Sequence, residues 1–340
     1  MKRSRRSFIK KTTALGATAS LSSLPFSLLA NAQADPIKIG IIGLDTSHAP
    51  AFTKLFNAGS PKSDLAGFRV VAAYPYGSRD IKSSMDRIAG YIDQVKEQGV
   101  EIVDSIDALL QKVDVVLLET NDGKPHLEQA RAVFKAKKPI FIDKPVAGSL
   151  KDAVAIYKEA EAAGIPMFSS SSLRYQKNVN AVRHENKIGK VLACDAFSPA
   201  TLEPSHPDLF WYGIHGVEIL FTAMGAGCDS VTRFSTQYEE VVVGTWKDGR
   251  IGTFRGMRNG KHDYGGTAFG TEGNLFFGPF EGYEPLALKI AEFFRTKKAP
   301  IDPRETLEIY AFMEAADESK RRGGASVSIT ETLKVAGYQS

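Results

Sequence analysis

The residues of this chain best placed for chemistry are a carboxylate, a lysine and a proline that directly follow a short apolar run. The run spans 140–142, and Asp143, Lys144 and Pro145 come after it. In an open α/β sheet, ligands bind beyond the carboxyl ends of the strands. We therefore expect the Lys144 ammonium at the mouth of a site, on a turn that Pro145 stiffens, where it can polarise or protonate an oxygen of a bound ligand.

A second candidate acid or base, His215, lies in an aromatic and acidic stretch further along the chain. On a helix, His215 and Glu218 share a face as i and i+3 neighbours. A histidine there can exchange a proton with a hydroxyl that Lys144 also contacts. Two other interpretations stay open, although we predict no metal site. Glu203, His206, His215 and Glu218 could supply the ligands of a metal, or His215 could be purely structural.

The turn between the first predicted strand and helix carries part of a dinucleotide-binding fingerprint. That fingerprint requires three glycines, for a tight turn, for close approach of the pyrophosphate and for packing of the helix on the strand. Gly43 fits the first position, but Asp45 and His48 occupy the other two. The helix N-terminus still attracts an anion, and Thr46 or Ser47 could cap it and donate a hydrogen bond. The turn predicts either dinucleotide binding or a Rossmann-like domain that no longer binds nucleotide in the usual way.

Two further strand ends carry polar residues where a dinucleotide would lie. Ser78 and Arg79 follow the second strand and could hold a 2′-phosphate, although a solvated loop is the alternative. Thr120 and Asn121 follow the fourth strand, at the same sheet edge as the lysine, and could line a nicotinamide pocket. His126 either joins them or simply begins the next helix.

The order of predicted elements indicates the fold class. Strands alternate with amphipathic helices from residue 37 to about residue 150, which is typical of right-handed βαβ units and a parallel sheet. After about residue 174 the strands become adjacent, with a hairpin turn at 247–250. We predict an α/β Rossmann-like parallel-sheet domain at 35–150. An α+β substrate domain with an open, mostly antiparallel sheet follows at 151–325, and its C-terminal part could return to contact the first domain.

The first 32 residues have the composition of a bacterial export signal. A basic segment with paired Arg5 and Arg6 precedes a mildly apolar stretch and a small-residue cleavage site at 30–32. Phe8 and Lys10 also suit the twin-arginine type, and an ordinary Sec signal is the alternative. We therefore expect a periplasmic protein exported by the twin-arginine machinery, which carries proteins that fold in the cytoplasm, often with a cofactor bound.

Charge and cysteine content argue against several other classes. The chain has 43 Lys/Arg and 39 Asp/Glu, and six of the basic residues but none of the acidic ones lie in the leader. The remainder, with 37 against 39, has a net charge of −2, which gives no indication of a nucleic-acid partner. Beyond the leader, no apolar run reaches the roughly 18 residues of a membrane span. Cys194 and Cys228 are expected to be free thiols.

Taken together, these motifs resemble the Gfo/Idh/MocA oxidoreductases over nearly all of the chain after the leader. The family's Glu-Lys-Pro signature corresponds to 143–145, with aspartate in place of glutamate, and its strand-four Thr-Pro-Asn stretch corresponds to 120–126. Arg174 matches an arginine after the sixth strand, and His215 matches the catalytic histidine. The aspartate that the family has four residues before this histidine is Trp211 here.

The resemblance implies a cofactor, a substrate class and roles for the site residues. Lys144 and His215 would be the acid/base pair at C4 of a nicotinamide, with NAD or NADP tightly bound, and Asp143 and Pro145 would also contact the cofactor. Aromatic side chains at the substrate would suit stacking against a sugar ring. The residues expected at the substrate are Arg174, Glu203, His206, Trp211, Tyr212 and Glu218.

Three functions are consistent with these features. The first is an exported oxidoreductase that moves hydride between NAD(P) and a sugar, polyol or sugar derivative. The second is a redox-neutral NAD-dependent glycoside hydrolase or lyase, which oxidises a hydroxyl, lets elimination proceed beside the ketone and then returns the hydride. The third is a non-catalytic sugar-binding protein on a dehydrogenase fold. Because the periplasm has no free nicotinamide pool, location favours a tightly bound cofactor. The open sheet leaves a surface on which a homo-oligomer could form.

Overall fold

Six parallel strands form the first sheet of the structure, a computed structural model that describes residues 35–59 and 64–338. Their order in the sheet is β3-β2-β1-β4-β5-β6. The expected export signal at 1–32 lies outside the described residues. In chain order the strands are β1 (Ile37–Ile42), β2 (Phe68–Tyr74), β3 (Glu101–Ile102), β4 (Val115–Leu118), β5 (Ile140–Asp143) and β6 (Met167–Ser170).

Five helices connect these strands and cover both faces of the sheet. They are α1 (His48–Phe56), α2 (Lys82–Glu97), α3 (Ile106–Leu110), α4 (His126–Lys135) and α5 (Leu150–Ala163). Because helices cover both faces, β4 and β5 are buried at every residue, which explains their nearly continuous apolar sequence. The strand order reverses between β1 and β4, and a crevice opens at the carboxyl ends of the strands at such a switch point.

Seven strands form the second sheet, in the order β12-β11-β7-β10-β9-β8-β13. Buried and more exposed residues alternate along the central strands, because one face packs on helices and the other face is open. All neighbours are antiparallel except β7 and β10, which run parallel. The predicted fold class is therefore confirmed. The strands are β7 (Val191–Pro199), β8 (Cys228–Ser235), β9 (Glu239–Trp246), β10 (Ile251–Met257), β11 (Gly265–Gly270), β12 (Gly273–Phe277) and β13 (Val327–Ser328).

The remaining helices include two that pack on the inner face of the second sheet. These helices are α6 (Lys177–His184), α7 (Asp208–Trp211), α8 (Ile214–Met224), α9 (Glu284–Thr296), α10 (Pro303–Arg321) and α11 (Ile329–Val335), and a 3₁₀ turn spans Ser172–Tyr175. Helix α8 is buried at every residue because it lies between the second sheet and α10. Helix α10 begins after Asp302, whose side chain accepts the Arg304 amide, and Pro303 stands at its first position, where a proline is tolerated.

Helix α9 belongs by packing to the first sheet, although it follows most of the second sheet in the chain. Leu286, Ile290 and Phe294 lie in the same apolar cluster as Phe52 of α1 and Phe141 of β5. The described residues from Pro36 onward form one compact unit, in which the C-terminal part of the chain completes the first core.

Cys194 and Cys228 are buried and free, and burial raises the pKa of both thiols. Their low reactivity follows, because the thiolate is the nucleophile. Within 35–59 and 64–338, no helix has both the length and the apolar character needed to cross a membrane.

Candidate active site

A cavity of about 520 Å³ opens at the carboxyl ends of the first sheet, and elements from the second half of the chain cover it. Its volume lies within the range of about 300–1,000 Å³ that is typical of small-molecule sites. The first half of the chain contributes Thr46, Ser47, His48, Lys82, Ser83, Asp86, Arg87, Asn121 and Lys144. The second half contributes Ser172, Leu173, Thr201, Leu202, Glu203, Trp211, Tyr212, His215, Tyr264, Phe280 and Tyr283.

Lys144 and His215 both line this cavity, which brings together the two residues predicted to act on one ligand. Lys144 directly follows β5, and its peptide bond to Pro145 is cis. His215 lies in the first turn of α8, and its Nδ1 is 2.9 Å from Ser171 Oγ. Burial and then the charge of Lys144 lower the pKa of His215 well below its usual value. The imidazole is therefore neutral near neutral pH and can accept a proton.

Gly43 allows the turn after β1 to pass very close to the end of β4. Its φ is +93°, and a Cβ at this position would lie 2.4 Å from the Thr120 amide nitrogen. Because both the backbone conformation and the space exclude a side chain, Gly43 performs the role of the first glycine of the fingerprint.

Asp45, at the second glycine position, is fully buried and turns into the protein. Its carboxylate accepts the amide of Asn121 at 2.9 Å and the amide of Ser78 at 3.1 Å. These bonds join the loops that follow β1, β2 and β4. Burial raises the pKa of Asp45, and its hydrogen bonds to the Asn121 and Ser78 amides act in the opposite direction.

The N-terminus of α1 faces the cavity through Thr46, Ser47 and His48. Ser47 is the N-cap residue, but its side chain makes no capping hydrogen bond. Of the cap expected from Thr46 or Ser47, the structure shows a long contact of 3.5 Å from the His48 amide to Thr46 Oγ1. The helix start therefore keeps amide groups and the positive end of its dipole available to an anion. Lys82 and Arg87 of α2 line the same cavity, and since Lys82 pairs with Asp86 at 2.6 Å, it is Arg87 that adds positive charge. Sequence reasoning missed both, because it considered the loop after β2 but not the helix that follows.

His48, at the third glycine position, contacts the aspartate of the Asp-Lys-Pro segment. Its Nδ1 lies 2.6 Å from Asp143 Oδ2. Although burial favours the neutral acid, the contact with His48 lowers the pKa of Asp143. Glu119, which directly follows β4, is also fully buried, and burial and then the charge of Asp143 raise the pKa of Glu119 well above its usual value. Sequence reasoning did not single out Glu119 as a site residue, although its position at a strand end next to β5 was a usable signal.

Four residues expected at the cofactor have other surroundings. Both ring nitrogens of His126 contact backbone oxygens, of Val146 at 3.2 Å and of Thr120 at 2.8 Å, so this histidine joins the loops after β4 and β5. Thr120 is buried, and its hydroxyl donates to a glutamine of α4. Ser78 is buried and contributes its amide to the Asp45 bond. Arg79 is exposed and does not line the cavity.

Two residues expected at the substrate, Arg174 and Glu218, form a buried ion pair behind the cavity. Arg174 Nε lies 2.6 Å from Glu218 Oε1, and Arg174 Nη1 lies 2.6 Å from Glu305 Oε1. Arg183 completes the network with a second contact to Glu305 at 2.6 Å. Because these charges compensate each other, the network stabilises the junction between the 3₁₀ turn, α8 and α10.

Of the other residues expected at the substrate, three line the cavity and one lies behind its wall. Glu203, Trp211 and Tyr212 line the cavity, whereas His206 lies behind it with Nε2 3.0 Å from Asp122 Oδ1. The structure does not bring Glu203, His206, His215 and Glu218, the residues of the metal alternative, together as a group of possible ligands. Across the described part of the chain, the one group of three or more metal-type side chains is His48, Glu119 and Asp143.

The strand order of the first sheet, with a ligand-sized cavity at its switch point, is that of the Rossmann-type dinucleotide-binding folds. Residues 37–170 match the sequence model of the Gfo/Idh/MocA oxidoreductase family, NAD-binding Rossmann fold. This part of the chain is therefore an NAD-binding Rossmann domain similar to that of the family, as the resemblance drawn from the sequence implied.

Comparison with individual proteins gives one sequence relative and several similar folds. The chain is 30% identical over 130 residues to a 1,5-anhydro-D-fructose reductase from Ensifer adhaerens, and the match covers 36% of this chain and 38% of that protein. The scyllo-inositol dehydrogenase of Lactobacillus casei, solved with NAD(H) and scyllo-inositol, superposes with a TM-score of 0.68 at 16% identity over 87% of this chain and 99% of that one. The myo-inositol 2-dehydrogenase of Lactobacillus plantarum gives 0.69 at 15% identity over 86% and 99%. At these identities the two structures show a shared fold.

Proposed function

We propose that the protein is an NAD(P)-dependent oxidoreductase that transfers hydride between a bound nicotinamide cofactor and a sugar, polyol or sugar derivative. The observation that carries this proposal is the cavity shared by Lys144 and His215 at the strand ends of an NAD-binding Rossmann domain. The names of the reductase and dehydrogenases above refer to polyhydroxylated compounds, which supports the substrate class.

The residues of the first domain fit a dinucleotide although two fingerprint glycines are missing. Gly43 provides the close turn, and Asp45 directs its carboxylate into backbone hydrogen bonds instead of towards a phosphate. The uncapped start of α1 would hold the pyrophosphate, and Arg87 would add a positive charge. When bound, the cofactor supplies the hydride acceptor or donor of the reaction.

The chain's own contribution to the reaction is to hold and move the proton of the substrate hydroxyl. His215 is a neutral imidazole whose Nδ1 is engaged by Ser171, which leaves Nε2 for the proton. The Lys144 ammonium, on the same cavity, would stabilise negative charge that develops on the substrate oxygen. Oxidation of an alcohol releases one hydride and one proton, so the cofactor accounts for the first and these side chains account for the second.

Aromatic side chains form much of the cavity wall contributed by the second half of the chain. Their faces suit the C–H side of a sugar ring, and the Glu203 carboxylate can accept hydrogen bonds from hydroxyls. The rings are those of Trp211, Tyr212, Tyr264, Phe280 and Tyr283.

Export to the periplasm by the twin-arginine route forms part of the proposal, and it is supported by the sequence of the first 32 residues. A cofactor carried there must be regenerated in place. Either a second sugar accepts the hydride, or the hydride returns to the same substrate after elimination, as in a redox-neutral glycoside hydrolase or lyase. The sequence of the first 32 residues is the specific feature that favours the redox-neutral hydrolase or lyase as a second candidate function.

Analysis of the protein purified from the cytoplasm tests the proposal. Denaturation should release NAD or NADP in near-stoichiometric amount, as measured by mass spectrometry. A protein that is empty and shows no binding of either nucleotide by calorimetry would contradict it and favour a non-catalytic sugar-binding role. For a protein that does hold nucleotide, cleavage of a glycoside without net change in the nicotinamide absorbance would identify the redox-neutral function.

A further inference from the structure

Three buried side chains have no part in the proposed hydride and proton transfer: His48, which lines the cavity, and Glu119 and Asp143 beside it. We propose that these three residues form a binding site for a divalent transition-metal cation. This site shares no residue with the metal set considered in the sequence analysis, which comprised Glu203, His206, His215 and Glu218. The proposal does not depend on the identity of the substrate.

The topology of the first sheet brings the three side chains together. Strands β1, β4 and β5 are neighbours, and Leu118 pairs with Ile142, so Glu119 and Asp143 follow at the same level of the sheet edge. His48 begins α1, a few residues after β1. One nitrogen or oxygen atom from each side chain lies within 4.8 Å of the others. Such a cluster needs little side-chain movement to surround one ion.

Unpartnered carboxylate oxygens point to a missing ligand. Both oxygens of Glu119 and Oδ1 of Asp143 are buried and have no hydrogen-bond partner in the described part of the chain. Glu119 is fully buried and Asp143 is 1% exposed. Buried carboxylates are normally paired, hydrogen-bonded or bound to a metal. A proton on Glu119 would supply one donor, but the other Glu119 oxygen would still have no partner among the described residues.

The neighbouring lysine does not neutralise the pair. The ion pairs formed by the described residues include none from Lys144 to Glu119 or Asp143, although its charge acts on both. The contact of His48 Nδ1 with Asp143 Oδ2, at 2.6 Å, satisfies only one of the four carboxylate oxygens. A dication would balance the charges of both carboxylates. On binding, the His48–Asp143 hydrogen bond would be replaced by coordination of both side chains to the ion. With metal–ligand bonds near 2.1 Å, the donor atoms would lie about 3 Å apart.

The donor set indicates the class of cation. One imidazole and two carboxylates suit Zn²⁺, Mn²⁺ or Fe²⁺ rather than Cu⁺, which prefers sulfur, or Ca²⁺, which prefers oxygen alone. Three protein ligands leave at least one coordination position open, as in catalytic metal sites. Since His48 lines the cavity, that position would take an oxygen atom of a ligand bound there.

Metal binding by the purified, tag-free protein tests the inference. The protein, stripped with chelator and free of added nucleotide and substrate, is dialysed separately against Zn²⁺ and Mn²⁺, and bound metal is measured by plasma mass spectrometry. We expect one ion per chain with at least one of these cations, and a rise in melting temperature on its addition. Glu119→Gln, which keeps the shape but removes the charge, should weaken binding by at least about tenfold.

Asp122→Asn provides the matched control, because Asp122 is a buried carboxylate that contacts a histidine at 3.0 Å but belongs to no group of three metal-type residues. It should bind metal as the wild type does. Wild-type protein that binds neither cation at millimolar concentration would overturn the inference, as would a folded Glu119→Gln protein with unchanged affinity. If Glu119→Gln does not fold, His48→Gln replaces it with the same expectation. Released nucleotide is measured separately, so failure here is distinguishable from failure of the proposed function.

Discussion

Lys144 is the single residue on which the proposed chemistry depends most. Lys144→Met retains the length of the side chain but carries neither charge nor transferable proton, so turnover should fall by about 10²–10⁴-fold. Lys151→Met, on the exposed side of α5 and outside the cavity, is the matched control and should leave turnover unchanged. Both are measured with a substrate that reduces the bound nicotinamide. A folded Lys144→Met protein with wild-type turnover would exclude this role.

The pH dependence of stability should report His215 as a buried neutral imidazole. Because burial and Lys144 lower the pKa of His215, the unfolded chain takes up its proton near the ordinary value of about 6.5, whereas the folded chain does so only at lower pH. The contribution of His215 to stability is therefore complete above about pH 6.5 and is lost as the pH falls below it. Denaturant unfolding at about pH 7.5 and about pH 5.5, without added metal, should show a larger loss for the wild type than for His215→Asn. Equal losses would contradict this assignment.

The positions of some cavity residues could be predicted from the sequence and those of others could not, for a physical reason. Lys144 could be placed because a buried strand ends just before it, and strand ends in a parallel sheet face the ligand. The fate of Asp45 could not be predicted, because its two partners are amides of Ser78 and Asn121, which lie 33 and 76 positions away. Local patterns do not encode such bonds.

Among the elements, the turn between β1 and α1 should be the most sensitive to a single methyl group. Gly43→Ala combines a positive φ with a contact of 2.4 Å to the backbone of the β4 loop, so it should destabilise the protein by more than about 1 kcal/mol and weaken nucleotide binding. Gly90→Ala is the matched control, because Gly90 lies within α2 and a Cβ there meets nothing within 4 Å. It should stabilise by about 0.5–1 kcal/mol. Thermal melts of both variants measure these changes in stability. Equal changes for Gly43→Ala and Gly90→Ala would refute the strain argument.

The junction between the 3₁₀ turn, α8 and α10 should depend on the buried charge of Arg174. Arg174→Met leaves Glu218 and Glu305 without their shared partner, so unfolding free energy should fall by about 3–5 kcal/mol. Arg131→Met removes an exposed pair with Glu159, also at 2.6 Å, and should cost less than about 1 kcal/mol. Denaturant titrations compare the two. If Arg174→Met instead retained stability and raised only KM, Arg174 would be a substrate ligand after all.

At the same scale, periodicity predicted most elements but not those that depend on distant partners. Sequence periodicity predicts helices at 150–163, around 214–224 and at 303–321, which are the bounds of α5, α8 and α10 in the structure, and α5 ends at Gly164, which adopts a left-handed conformation. The 3₁₀ turn and the short helices α6 and α7 were not predicted, because they are held by contacts with later elements rather than by an apolar stripe. The parallel pairing of β7 with β10 was also missed, since a strand's direction relative to a distant neighbour leaves no local pattern.

For the molecule as a whole, the open face of the second sheet should mediate self-association. Phe234, Ile251 and Phe276 are 63%, 51% and 57% exposed on this face, which α8 and α10 leave uncovered. An uncovered sheet face that carries exposed apolar side chains is the kind of surface on which copies of a chain associate. Analytical ultracentrifugation should show an oligomer that Ile251→Arg dissociates. Val335→Arg, at an apolar residue of α11 that is 88% exposed, should leave it intact. A monomeric wild type would contradict the prediction.

The packing of α9 against α1 and β5 fixes the order in which this protein can mature. The ribosome must release the chain to about residue 296 before the apolar cluster around Phe52 can close, because Leu286, Ile290 and Phe294 belong to it. The nucleotide-binding half is synthesised first but completed late, so cofactor capture follows translation of nearly the whole chain. Under the export proposed above, the time between the end of synthesis and transport would be the period in which the cofactor must be loaded.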